Sequence, residues 1–259
     1  MPSLEGPRLK LARATKHIAE LRAAAEGFLA AQPFAIHPVE ETNGDLVWKL
    51  RMNRSVPVEW SAIVGDAVHN MRSSLDLLAW QLVELGGGQP SRETCFPITA
   101  SPAANFGATL KRFMSGASPQ AMRFVERMRP FAGGNRTLAQ LHTLDVIDKH
   151  RLVLVVGAAN KQLVIKLKMK VPWADKLVEA PPIALNPADR QFPLQDGEEV
   201  FRVCKAARGQ DPHSEQAVVF ELAFGDANEV SGHPLIPTLE AMHAHVTRIV
   251  EIAGARLFK

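Results

Sequence analysis

The sequence predicts an α+β protein, a helical bundle of four main helices with an antiparallel β-sheet packed on one side. Three observations predict it. Apolar residues recur at steps of three and four over about 6–31, 57–85, 135–150 and 234–258. Alternating or wholly apolar runs occupy parts of about 34–53 and 152–226. No internal repeat or low-complexity linker parts them, so 1–259 reads as a single α+β domain.

In the first helix Leu11, Ala14, Ile18, Leu21, Ala25 and Phe28 form the apolar stripe. FAIHPVEETNGDLVWKLRM follows as a hairpin. Its Asn43-Gly44 pair suits a left-handed turn, and Pro38 puts the first strand at an edge. Pro57 opens the second helix, with a stripe from Trp60 through Val64, Met71 and Leu75 to Leu82, before the stop signal GGGQP. A loop carrying TCFPI leads to two shorter helices near 103–116 and 118–129. RTLAQLHTLDVIDKHR is the fifth helix, capped by Asn135. LVLVVGAANKQLVIKLKMKV reads as a hairpin of two apolar strands, with further strands near 198–205 and 216–224. Leu239, Met242, Val246, Ile249, Ala253 and Leu257 line the closing helix.

Composition narrows the function classes. No apolar run reaches the ~18 residues that span a membrane, so no membrane partner is expected. MPSLEGPRLK lacks the apolar core of a signal peptide, and Cys95 and Cys204 have no partners at metal-ligand spacing. The expectation is a cytoplasmic chain without a disulfide framework. A formal net charge of +3 permits a local anionic partner without demanding nucleic acid. In KQLVIKLKMKV, Lys166, Lys168 and Lys170 share a face, more in keeping with a solvated or protected edge than with a phosphate track. No phosphate-loop, dinucleotide or G-x-S-x-G signature is present.

GDAVHNMRSSLDLLAW, residues 65–80, carries the first chemical signal. At 100° per residue, His69, Ser73, Asp76 and Trp80 fall opposite the apolar stripe of their helix, with Arg72 beside them. The fifth helix carries the second. Leu138 and Leu141 begin a stripe whose next positions are Asp145 and Asp148. An ionised carboxylate at a core position costs several kcal/mol unless it meets a cation, a donor or a metal. Arg72 and Arg151 are the salt-bridge partners within reach of sequence reasoning. The pattern predicts a polar pocket between the second and fifth helices, lined by Asp66, His69, Arg72, Asp76, Asp145, Asp148 and His150.

Asp66-x-x-His69 and His142-x-x-Asp145 put acid and histidine on one helical face, as bundle metal sites do. One alternative is therefore a metal-dependent enzyme acting on a small molecule, with Asp66, His69, Asp145 and Asp148 holding a divalent ion. His17-x-x-Glu20 and Glu240-x-x-His243 match too, but by helical phase they point to solvent. Another alternative is a non-catalytic structural or partner-binding protein whose buried ion pairs fix helix register.

GDAVHNMRSSLDLLAWQL with LDVIDKHR resembles an uncharacterised bacterial family carrying H-N-x-R-S-x-L-D and, later, D-K-H-R. More distantly, a helical bundle with Arg-x-x-x-x-His is similar to HEPN domains. Many of those cleave RNA or bind nucleotides without metal, often as homodimers. Arg72 matches the arginine of that pattern, and Leu77 stands at the histidine position. The resemblance implies RNA or nucleotide binding in the polar cleft, a homodimer, no required cofactor, and hydrolysis of atypical design. His69 or His150 would then act with Arg72, Asp76 and Asp145, while Ser73, Trp80, Asp148, Lys149 and Arg151 contact the ligand.

Overall fold

The computed structural model describes residues 1–99, 103–131, 133–153, 155–165, 168–170, 177–179, 183–185, 195–203 and 216–258. Among them the chain forms six α-helices and eight strands, an α+β arrangement. The helices are α1 (Glu5–Ala30), α2 (Glu59–Leu85), α3 (Ala103–Phe113), α4 (Pro119–Arg127), α5 (Arg136–His150) and α6 (Leu235–Leu257). None is long and apolar enough to cross a membrane.

Helix α2 packs on α1, α5 and α6, and α1 also packs on α6. The stripe of α1 from Leu11 to Phe28 is buried throughout, as is that of α2 at Trp60, Val64, Met71, Leu75 and Leu82. Each such side chain adds roughly 1.5–3 kcal/mol of apolar burial. Amphipathic periodicity is therefore what assembles these helices. The core cluster extends from Leu11 and Met71 through Leu141 to Phe201, Phe224 and Val246.

Strands β1 (Phe34–Glu40) and β2 (Leu46–Met52) form the expected hairpin, with Gly44 at φ +86° in its turn. That backbone angle favours glycine because a Cβ would clash there. β1 is an edge strand, so Pro38 costs no ladder bond. The other strands are β3 (Val155–Ile165), β4 (Lys168–Lys170), β5 (Leu177–Glu179), β6 (Ile183–Leu185), β7 (Glu199–Val203) and β8 (Gln216–Phe224).

The described strands fall into separate sheets rather than one. β1-β2-β7 and β6-β3-β8 are three-stranded, and β4 pairs only with β5. A ring contact between Phe34 of β1 and Phe220 of β8, with centroids 5.5 Å apart, joins the two larger sheets. The hairpin expected within 152–171 is not formed. β3 runs through the AAN stretch as one strand paired with β8, and register shifts at Val156/Ala159 and Asn160/Gln162 absorb the irregularity. Small residues that signal a turn also suit a bulge. Lys168 and Lys170 consequently belong to a different strand from Val164, with Lys168 in register with Glu179. Lys166 and Cys204 lie outside the described residues.

Candidate functional site

Polar residues of α2 and α5 gather into two clusters. The first is built on Asp145. Its place on the apolar stripe of α5 turns the carboxylate into the seam with α2, and the residue is 1% exposed. Oδ1 lies 3.0 Å from Nδ1 of His69, and Oδ2 accepts a 2.6 Å hydrogen bond from Nζ of Lys149. An ionised carboxylate only accepts, so Nδ1 of His69 carries a proton. In the neutral ring Nε2 is then an acceptor, 3.3 Å from the Ser73 hydroxyl that donates to it. The His69 and Lys149 side chains remain 52% and 54% exposed. One buried anion thus holds a basic nitrogen and an ammonium group at the surface, one from each helix.

The second cluster is a clamp on the TCFPI loop. Arg72 is buried, its Nη2 donating to the carbonyl oxygen of Phe96 at 2.9 Å. Nη1 stands 3.0 Å from Oδ1 of Asp76, an ion pair whose angle is not that of a hydrogen bond. The same Oδ1 accepts from the backbone N–H of Phe96 at 2.9 Å. Both polar groups of one loop residue are therefore satisfied by one turn of α2. Burial pushes the Asp76 carboxyl above its ordinary value, against the opposing pull of Arg72. Burial and then the Asp76 charge push the Cys95 thiol up, so it is a poor thiolate.

Asp148 is half-buried against Gly65 of α2, where an added Cβ would intrude on its carboxylate. Burial, followed by the Asp145 and Asp66 charges, raises the Asp148 carboxyl. Glycine at 65 leaves the space on α2 that the Asp148 carboxylate fills.

The line His69–Ser73–Asp76–Trp80 is thereby divided. His69 and Ser73 meet α5, Asp76 meets the loop, and the exposed Trp80 donates its indole N–H to Glu84 at 3.2 Å. Asp145 pairs with neither Arg72 nor Arg151, the partners expected of it. Arg151 instead meets Asp226 at 2.8 Å. His150 is exposed and forms no hydrogen bond with the cluster. Arg72 is closed off from solvent by its clamp.

No family model, curated protein or solved structure matches the chain.

Among the described residues no three His, Cys, Asp or Glu side chains are grouped to hold a metal. Asp66, His69, Asp145 and Asp148 do not form the expected ligand set, because both Asp145 oxygens face donors. In the other two helical pairs Glu20 and Glu240 face solvent as expected, but the histidines do not. His17 is half-buried, and Nε2 of His243 donates to the Leu11 carbonyl at 3.1 Å.

Three features escaped sequence reasoning. The Asn135 cap forms as expected, accepting from the Leu138 N–H at 3.2 Å, but its amide also donates to Nε2 of His245 at 2.8 Å. Burial, then Arg248, lowers the His245 pKa and keeps that nitrogen an acceptor. The Phe96 clamp depends on a loop whose path no periodicity encodes. A cavity of about 480 Å³ opens at the N-terminal end of α5, with Thr99, Asn135, Arg136, His142 and Glu229 in its wall. Burial, then Arg72, lowers the His142 pKa. His142 and Lys149, seven residues apart, lie along one line of α5 about 10 Å from each other.

Proposed function

We propose that this chain is a HEPN-like protein that binds RNA or a nucleotide by its phosphates at the α2–α5 face, with His69 as the proton-transfer group of a metal-independent phosphodiester cleavage. The observation that carries the reading is Asp145, a buried carboxylate spent on orienting two exposed side chains. A core needs no such group, since an apolar residue there avoids the desolvation cost.

In this reading Nε2 of His69 accepts the proton of a ribose 2′-hydroxyl, displacing the Ser73 hydroxyl from its contact. The 2′-oxygen attacks the adjacent phosphorus, the P–O5′ bond breaks, and the leaving oxygen takes a proton from water. Asp145 fixes the tautomer and offsets the charge that His69 gains. The Lys149 ammonium offsets negative charge on the phosphate oxygens. A nucleoside or neighbouring nucleotide would extend along α5 toward the His142 cavity, which the shared helical line supports. Arg72 serves here by fixing the loop and not by touching the phosphate.

The test is equilibrium binding and cleavage of a labelled oligoribonucleotide with chelator present. Wild type should bind and yield cyclic phosphate ends. Lys149→Ala should weaken binding about tenfold, which is about 1.4 kcal/mol. His69→Ala should bind and fail to cleave. Wild type that binds neither RNA nor nucleotide overturns the reading. Binding with cleavage unaffected by His69→Ala removes His69 from the chemistry.

A further inference from the structure

Several arginines elsewhere on this surface are paired with carboxylates. Arg8 meets Glu251, Arg22 meets Glu240, Arg112 meets Glu93, Arg151 meets Asp226, and Arg202 meets Glu41 and Glu199. Arg123 and Arg127 of α4 and Arg256 of α6 surround a pocket of about 270 Å³, and no described carboxylate forms an ion pair with any of them. Spacing explains the first two, since residues four apart share a helix face. The third arrives because α6 ends against α4, where Nε2 of Gln120 donates to the Arg256 carbonyl at 3.5 Å. Phe124, which is buried, and Leu257 supply an apolar floor.

Three arginines around one small pocket concentrate positive charge there. The C-terminal dipoles of α4 and α6 relieve part of this, because Arg127 and Arg256 stand in the last turns of their helices. They do not account for Arg123, a turn further in. A multiply charged anion between the three would neutralise that charge. Planar guanidinium forks match phosphate oxygens two at a time, in a way that ammonium groups do not.

We propose that Arg123, Arg127 and Arg256 form a phosphate-binding site separate from the His69–Asp145 cluster, taking either a free pyrophosphate-like group or the backbone phosphates of a bound RNA. It goes beyond the function proposed above and does not depend on it.

Calorimetric titration with inorganic pyrophosphate at low salt tests it, beside polarisation titration with a labelled oligoribonucleotide. The proteins are wild type, Arg123→Gln/Arg127→Gln, Arg256→Gln and His69→Ala. These arginines are exposed and unpaired, so their glutamine variants should keep the wild-type melting curve, which confirms folding. Wild type and His69→Ala should bind pyrophosphate alike, with a loss of tenfold or more in the double variant and a smaller loss in Arg256→Gln. If RNA affinity falls in parallel and its salt dependence becomes shallower, the site belongs to an RNA path. If RNA binding is unchanged, the site takes a small phosphate compound. Wild type that binds neither probe, or a double variant that binds both as wild type does, overturns the proposal. A fault confined to His69→Ala would touch only the α2–α5 reading.

Discussion

Oδ1 of Asp145 stands 3.0 Å from Nδ1 of His69, a residue 76 positions away in sequence, across the seam between α2 and α5. The carboxylate is buried and the imidazole is half exposed, so the contact orders a surface group from beneath. Asp145→Asn keeps the shape but removes the charge facing Lys149. Its stability should fall by about 1–3 kcal/mol, the range for a disturbed buried charged hydrogen bond. Lys149→Ala, at an exposed position, should cost no more than about 1 kcal/mol. Urea denaturation of both variants measures the difference, and equal losses would mean that Asp145 is not the anchor.

Gly65→Ala sets two effects against each other. Alanine favours a helix interior by about 1 kcal/mol, yet its methyl group would intrude on the Asp148 carboxylate. We expect net destabilisation of about 1–2 kcal/mol as α2 and α5 are forced apart or Asp148 is displaced. In an Asp148→Ala background the same change should become stabilising. A double-mutant cycle by denaturation detects the sign reversal.

Arg72→Ala strands Asp76 and frees the Phe96 carbonyl. Breaking a buried pair costs about 3–5 kcal/mol, and the partial exposure of Asp76 lowers that to about 2–4 kcal/mol. The loop would also loosen around Cys95, so alkylation of that thiol under native conditions should accelerate. An unchanged alkylation rate would show that the clamp does not hold the loop.

His245 makes stability depend on pH. Its folded pKa lies below the ordinary histidine value of 6.5, because burial disfavours the charged ring. The unfolded chain therefore binds a proton first as pH falls, and stability is lost through 6.5 and below. Protonation also removes the acceptor of the Asn135 amide. His245→Gln supplies an acceptor that does not titrate. Its loss of stability between about pH 8 and pH 5.5 should be smaller than that of wild type, as read from urea midpoints. Equal losses would place the titration elsewhere.

The helices were legible because a stripe such as Leu11 to Phe28 repeats at the helical period. The demand on Asp145 was legible for a related reason, since a carboxylate at a leucine position must find partners. Which partners was not. His69 and Lys149 follow from the crossing of α2 over α5, and Arg72 follows from the path of the TCFPI loop, neither of which local periodicity specifies. Strand organisation was less legible than the helices. GAAN in β3 has the residues of a turn and forms an irregular strand, because pairing with β8 continues on either side. The arginines of α4 and α6 were invisible as a group until the two helix ends met.

In the proposed function His69 is held ready for a phosphate ligand. Nitrogen-15 NMR of the imidazoles during titration with a short oligoribonucleotide tests it most directly. Without ligand, the His69 signals should report a protonated Nδ1 and an unprotonated Nε2 that accepts from Ser73, and Asp145→Asn should blur that preference. With RNA added, Nε2 of His69 should shift while His243, bonded to the Leu11 carbonyl, stays in place. No shift at His69 under saturating RNA, or an Nε2-protonated ring in the free protein, would contradict the account.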